Sequence, residues 1–72
     1  MTKPDSISVH VNGKDRAIPR GLTVFELLEH LGLNPALVVV ELNRDILERN
    51  SFGDLPVEEG DVLELVHFVG GG

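Results

Sequence analysis

The stretch ISVHVNGKDRAIPRGLTVFELLEHLG, residues 7–32, decides the fold because its hydrophobic period changes once, from that of a strand to that of a helix. Ile7, Val9 and Val11 alternate with Ser8 and His10, the period-two pattern of a strand with one buried face. Asn12-Gly13 follows at once and tolerates the positive φ angles of a tight type I′ turn. The chain is therefore expected to reverse and return over residues 14–18 as the second strand of a hairpin, closed by Pro19 and Gly21. From Thr23 the pattern is helical: Val24, Leu27, Leu28 and Leu31 fall on one face. Thr23 and Glu26 have the spacing of a capping box, and Leu22 and Leu27 that of a hydrophobic staple. Gly32 suits the left-handed position after the helix, Leu33 the Schellman contact, and Pro35 blocks continuation.

Outward from this stretch, residues 37–42 are β-branched and apolar enough for a strand buried on most of both faces. Ile46-Leu47 reads as a short strand, and residues 50–56 as a loop carrying a one-turn helix at most. Glu59-Gly60-Asp61 turns the chain into a last strand over residues 62–69, and Gly70-Gly71-Gly72 follows. The order is ββαβ(β)β. A hairpin leading into a helix that returns to the same sheet wraps one helix across one mixed sheet, an α+β β-grasp arrangement. The expected organisation is one domain over residues 1–69 with a flexible glycine tail over residues 70–72.

Composition narrows the function. At 72 residues the chain holds one small core and has no spare area for a large pocket of its own. It has no cysteine, which excludes disulfides, thiolate metal sites and a cysteine nucleophile. Twelve acidic against six basic residues give a formal charge of −6, which disfavours nucleic acid and anionic membrane as partners. No apolar run approaches the roughly 20 residues that span a bilayer, and residues 1–6 lack a signal-peptide pattern, so a cytoplasmic protein is expected.

The segment Gly60-Asp61-Val62-Leu63-Glu64-Leu65-Val66-His67-Phe68-Val69-Gly70-Gly71-Gly72 resembles the C-terminus of the ThiS sulfur carriers of thiamine biosynthesis. Val11-Asn12-Gly13, Leu22-Thr23-Val24 with Leu27-Leu28, and Val40-Glu41-Leu42-Asn43 resemble the same family, whereas residues 44–56 match it only loosely. The resemblance implies a ubiquitin-like β-grasp fold and a non-enzymatic role. The Gly72 carboxylate would be adenylated by a ThiF-type activating enzyme using ATP and magnesium, converted to a thiocarboxylate, and used as a sulfur source by a ThiG-type thiazole synthase. A cysteine desulfurase is the implied sulfur donor. No cofactor, metal or catalytic residue is assigned to this chain.

The tail suits such chemistry. A carboxylate is ionised far above its reference pKa of about 3.5 and is a poor electrophile until activated. Residues 69–72 extend at most about 13 to 14 Å, and Gly70 and Gly71 would fit the narrowest part of a partner's channel because they have no Cβ. Alternation places Leu63, Leu65 and His67 on one face of the last strand and Glu64, Val66 and Phe68 on the other, so these last three are the candidate docking residues. His10, His30 and His67 lack the spacing of a metal site, and Glu58, Glu59 and Asp61 read first as a solvated turn and second as an acidic docking patch. Three other functions fit the same pattern: the small subunit of a molybdopterin synthase, a non-covalent β-grasp interaction module, and a protein-conjugating modifier.

Overall fold

The computed structural model describes residues 5–68, so Val69 and the glycines at 70–72, with the expectation of a flexible tail, lie outside the described residues. Strands β1 (Ser6–Val11) and β2 (Lys14–Pro19) pair antiparallel, with Ile7 opposite Ile18 and Val11 opposite Lys14. Asn12 at φ 50° and Gly13 at φ 80° supply the two positive angles that a type I′ turn requires. Helix α1 (Val24–His30) begins with the complete capping box: the Glu26 N–H donates to Thr23 Oγ1 at 3.2 Å, and the Thr23 N–H donates to Glu26 Oε1 at 2.9 Å. It ends in a full Schellman motif, Leu33 N–H to the Leu28 carbonyl at 2.9 Å and Gly32 N–H to the Glu29 carbonyl at 3.0 Å, with Gly32 at φ 77°.

After a short 3-10 turn (Pro35–Leu37), β3 (Val38–Leu42) enters the sheet, β4 (Asp45–Ile46) pairs back on it, and a 3-10 helix (Arg49–Asp54) precedes β5 (Val62–His67). The sheet order is β2-β1-β5-β3-β4, with β5 parallel to β1 and antiparallel to β3. The last strand is thus inserted in the middle of the sheet, the β-grasp arrangement expected from the element order.

One face of the sheet is covered and forms the core. Val9, Val38, Val40 and Leu63 are fully buried there with Val24, Leu27 and Leu28 of α1. Three expectations are refined. Strand β3 is buried on one face only, through Val38 and Val40, while Val39 and Glu41 are half-exposed, because among the described residues nothing covers the sheet's other side. The 3-10 helix spans six residues, more than the single turn expected of residues 50–56, because the fully buried Phe52 anchors it in the core. The last strand stops at His67, and Phe68 follows it outside the strand.

The irregular connection is tied down by its backbone. Val24 N–H donates to the Leu55 carbonyl at 2.8 Å and Val57 N–H to the Leu22 carbonyl at 2.9 Å, which clamps the start of α1. Arg49 reaches back to the Pro35 and Val38 carbonyls, both at 3.2 Å, and fixes the entry to β3.

Candidate functional site

The site grows from β5, because this strand leads to the glycine tail. Its even-numbered residues bond toward β3. Asn43 holds Val62 through its N–H (2.8 Å to the Val62 carbonyl) and its Oδ1 (2.9 Å from the Val62 N–H), and Phe68 N–H donates to the Leu37 carbonyl at 2.8 Å. Its odd-numbered residues bond toward β1, where Asn12 N–H donates to the Leu63 carbonyl at 2.9 Å. Beyond the end of β1 the Asn12 side chain continues the ladder. Its Oδ1 accepts from Leu65 N–H at 2.7 Å and its Nδ2 donates to the Leu65 carbonyl at 3.2 Å, so one side-chain amide stands in for a peptide unit. The root of the tail is therefore a central strand held on both sides as far as Leu65, and on the β3 side as far as Phe68.

Side-chain alternation then sorts the residues as the sequence predicts. Leu63 and Leu65 point into the core, while Glu64, Val66 and Phe68 are exposed, with Val66 at 56% and Phe68 at 54%. Register assembles a larger surface around them. Val39 lies opposite Val66, Glu41 opposite Glu64, and Ile46 opposite Glu41. The open face thus joins an apolar group of Val39, Val66 and Phe68 to an acidic pair, with Ile46 (74% exposed) and Val62 at its margins. Like charges directly opposite each other on adjacent strands are destabilising, and among the described residues neither Glu41 nor Glu64 has a cationic partner. A large exposed apolar group and an unpaired acidic pair on an uncovered sheet face both suit an interaction surface.

The sequence alone does not mark Val39, Glu41, Ile46 and Val62 as docking residues. The run at residues 37–42 reads as uniformly apolar, and only the register shows which half of it faces outward. The other candidates play smaller parts. His10 and His67 sit on adjacent strands but at opposite ends of β5, since His10 is level with Val62. His10 Nδ1 lies against the Asp15 carboxylate across the hairpin. No group of three metal-ligating side chains occurs among the described residues. Within the acidic turn, Asp61 accepts from the Glu58 N–H at 2.8 Å and from Asn43 Nδ2 at 3.1 Å, and Glu59 accepts from the Ser8 N–H at 3.2 Å. These two carboxylates serve the turn itself. Among the described residues no helix is long and apolar enough to cross a membrane. Gly70, Gly71 and Gly72 lie outside the described residues.

A model of the ThiS family matches residues 9–72. The chain is 38% identical over 66 residues to the thiazole synthase of Magnetococcus marinus, a match that covers 92% of this chain and 20% of that protein, so the chain spans about a fifth of that relative's length. It is 35% identical over 65 residues to the sulfur carrier protein ThiS of Bacillus subtilis, covering 89% of this chain and 98% of that one. A crystal structure of the thiamine biosynthesis protein ThiS from Geobacter metallireducens superposes with a TM-score of 0.78 at 39% identity, covering 92% of this chain and 100% of that one.

Proposed function

The chain belongs to the ThiS family, whose ubiquitin-like β-grasp fold it shares, and on that premise we propose that it is a sulfur carrier of thiamine biosynthesis that donates sulfur from Gly72. The observation that carries the reading is that the family match runs through residue 72, so that Gly70-Gly71-Gly72 falls inside the matched segment and follows the root of β5 by one residue beyond Phe68.

The chemistry is written on the tail. A Gly72 carboxylate oxygen attacks the α-phosphorus of magnesium-bound ATP in a ThiF-type enzyme, forming the acyl-adenylate and releasing pyrophosphate. A hydrosulfide, released by a thiol reductant from the persulfide that a donor such as a cysteine desulfurase supplies, then attacks the acyl carbon, expels AMP and loses its proton. The product is a thiocarboxylate on Gly72. Every acid, base and metal ligand of these steps is assigned to the partner, and Gly70 and Gly71 permit the close backbone approach that a narrow channel demands. The chain itself supplies reach and a docking face. The exposure of Val66 and Phe68, with Glu64 beside them, supports a role for these residues in meeting a partner just before the tail enters its active site.

Thiazole synthase is proposed as the recipient, supported by the similarity of this chain to a fifth-length part of proteins of that name. The test is ATP–pyrophosphate exchange with the cognate activating enzyme. The full chain should support exchange, and deletion of Gly72 should abolish it without changing the melting temperature, since the deletion moves the carboxylate by up to about 3.5 Å against a tolerance of about 1 Å. Normal exchange by the deletion variant would leave a non-covalent interaction module as the standing alternative.

A further inference from the structure

Strand β5 has an edge that its own sheet does not use. Because odd-numbered β5 residues turn their backbone groups toward β1, the His67 N–H and carbonyl point to that side. Strand β1 pairs with β5 only at Val62 and Leu63, the Asn12 amide satisfies Leu65, and among the described residues nothing continues the ladder to His67. The open edge borders a groove of about 520 Å³ between the hairpin and the C-terminal end of α1. Its floor is apolar, made by Leu31, Leu33 and Leu65, and its wall carries Lys14 and Arg16. On a chain of net charge −6 these two residues place a local cationic wall beside an unpaired strand edge.

We propose that this groove is a strand-addition site, in which an extended segment of the adenylating partner pairs with the β5 edge at His67. Such a strand would set an apolar side chain on the Leu33 and Leu65 floor and a carboxylate against Lys14 and Arg16. Unpaired backbone groups at a sheet edge template an added strand, while alternate side-chain pockets select its sequence. The occupant is an acidic, extended segment because the wall is cationic, and it belongs to the protein that takes the tail because His67 lies just two residues before Val69. Strand pairing there would fix the direction in which the tail leaves the sheet. The Asn12 amide makes this possible by ending the β1 ladder without a further strand. The inference rests on the proposed function, since it requires an adenylating partner.

The experiment follows residue-resolved amide exchange on the full-length chain, alone and saturated with its cognate activating enzyme, alongside ATP–pyrophosphate exchange. The His67 N–H should exchange at least about tenfold more slowly in the complex, and Lys14→Glu with Arg16→Glu should weaken the complex at least about tenfold while leaving the melting curve unchanged. Lys14→Arg with Arg16→Lys should bind as the parent does. A complex that supports exchange of ATP and pyrophosphate but leaves His67 unprotected, or that ignores the charge reversal, would overturn the strand-addition site and leave the carrier reading intact. Absence of both complex and exchange would overturn the carrier reading and this inference with it.

Discussion

Leu65 and Val66 are neighbours in sequence on opposite faces of one strand, so truncating each to alanine separates loss of the core from loss of the open face. Leu65 is 9% exposed and packs in the core, whereas Val66 is 56% exposed on the open face. Leu65→Ala removes three buried carbon atoms and leaves a cavity beneath α1, at an expected cost of about 2 to 5 kcal/mol. A chain of this length has a total stability of roughly 4 to 11 kcal/mol, so the variant should approach the edge of folding. Its melting temperature should fall by about 8 °C or more, given shifts of about 4 to 8 °C per kcal/mol for domains of this size. Val66→Ala removes atoms that are already half in water and should cost within about 0.5 kcal/mol of stability. Its effect should be on association, weakening binding to the activating enzyme by more than about 1 kcal/mol, or roughly fivefold. Urea denaturation and calorimetric binding measure the two quantities on the same samples. Equal destabilisation by both substitutions would refute the face assignment, and full-strength binding by Val66→Ala would refute the docking face.

Other consequences follow from single contacts. Phe52→Ala should cost about 3 to 5 kcal/mol by denaturant titration, because Phe52 is fully buried and anchors the 3-10 helix; a loss below about 1 kcal/mol would mean that the helix is not held by that ring. Gly32→Ala should destabilise by about 1 kcal/mol in the same assay, since φ 77° strains a residue with a Cβ even though open space surrounds it. Glu64→Lys should relieve the like-charge pair with Glu41 and so keep or slightly raise stability, while weakening association most at low salt; stronger binding to the activating enzyme would show that the acidic pair is not part of the docking surface.

The architecture was legible wherever local chemistry and tertiary packing agree. The Asn12-Gly13 turn, the capping box at Thr23 and Glu26, and the Schellman glycine at position 32 are local devices, and each forms as its residue types dictate. The same holds for the alternation of Leu63, Glu64, Leu65 and Val66, because period two fixes opposite faces once one face is buried. Residues 44–56 were less legible. The 3-10 helix there is organised by Phe52 and by Arg49 reaching the Pro35 and Val38 carbonyls, contacts that depend on where β3 begins and leave no periodic trace. The extent of the open face was hidden for a related reason. Val39 and Glu41 join Val66 and Glu64 only through antiparallel register, and an apolar run such as residues 37–42 carries no sign of which half faces water. The doubled role of Asn12, a turn residue whose side chain also caps Leu65, likewise depends on a partner 53 positions away.

Sulfur carried on the carboxylate of Gly72 changes the mass of the chain, and intact mass spectrometry reads that change. The full-length chain is incubated with its cognate activating enzyme, magnesium, ATP and a sulfide source, then weighed and fragmented. The mass should rise by the difference of one sulfur replacing one oxygen, located by fragmentation on Gly72 and absent when ATP is withheld. An unchanged mass under conditions where the activating enzyme consumes ATP with the chain, or a sulfur located anywhere other than Gly72, would contradict sulfur carriage on Gly72.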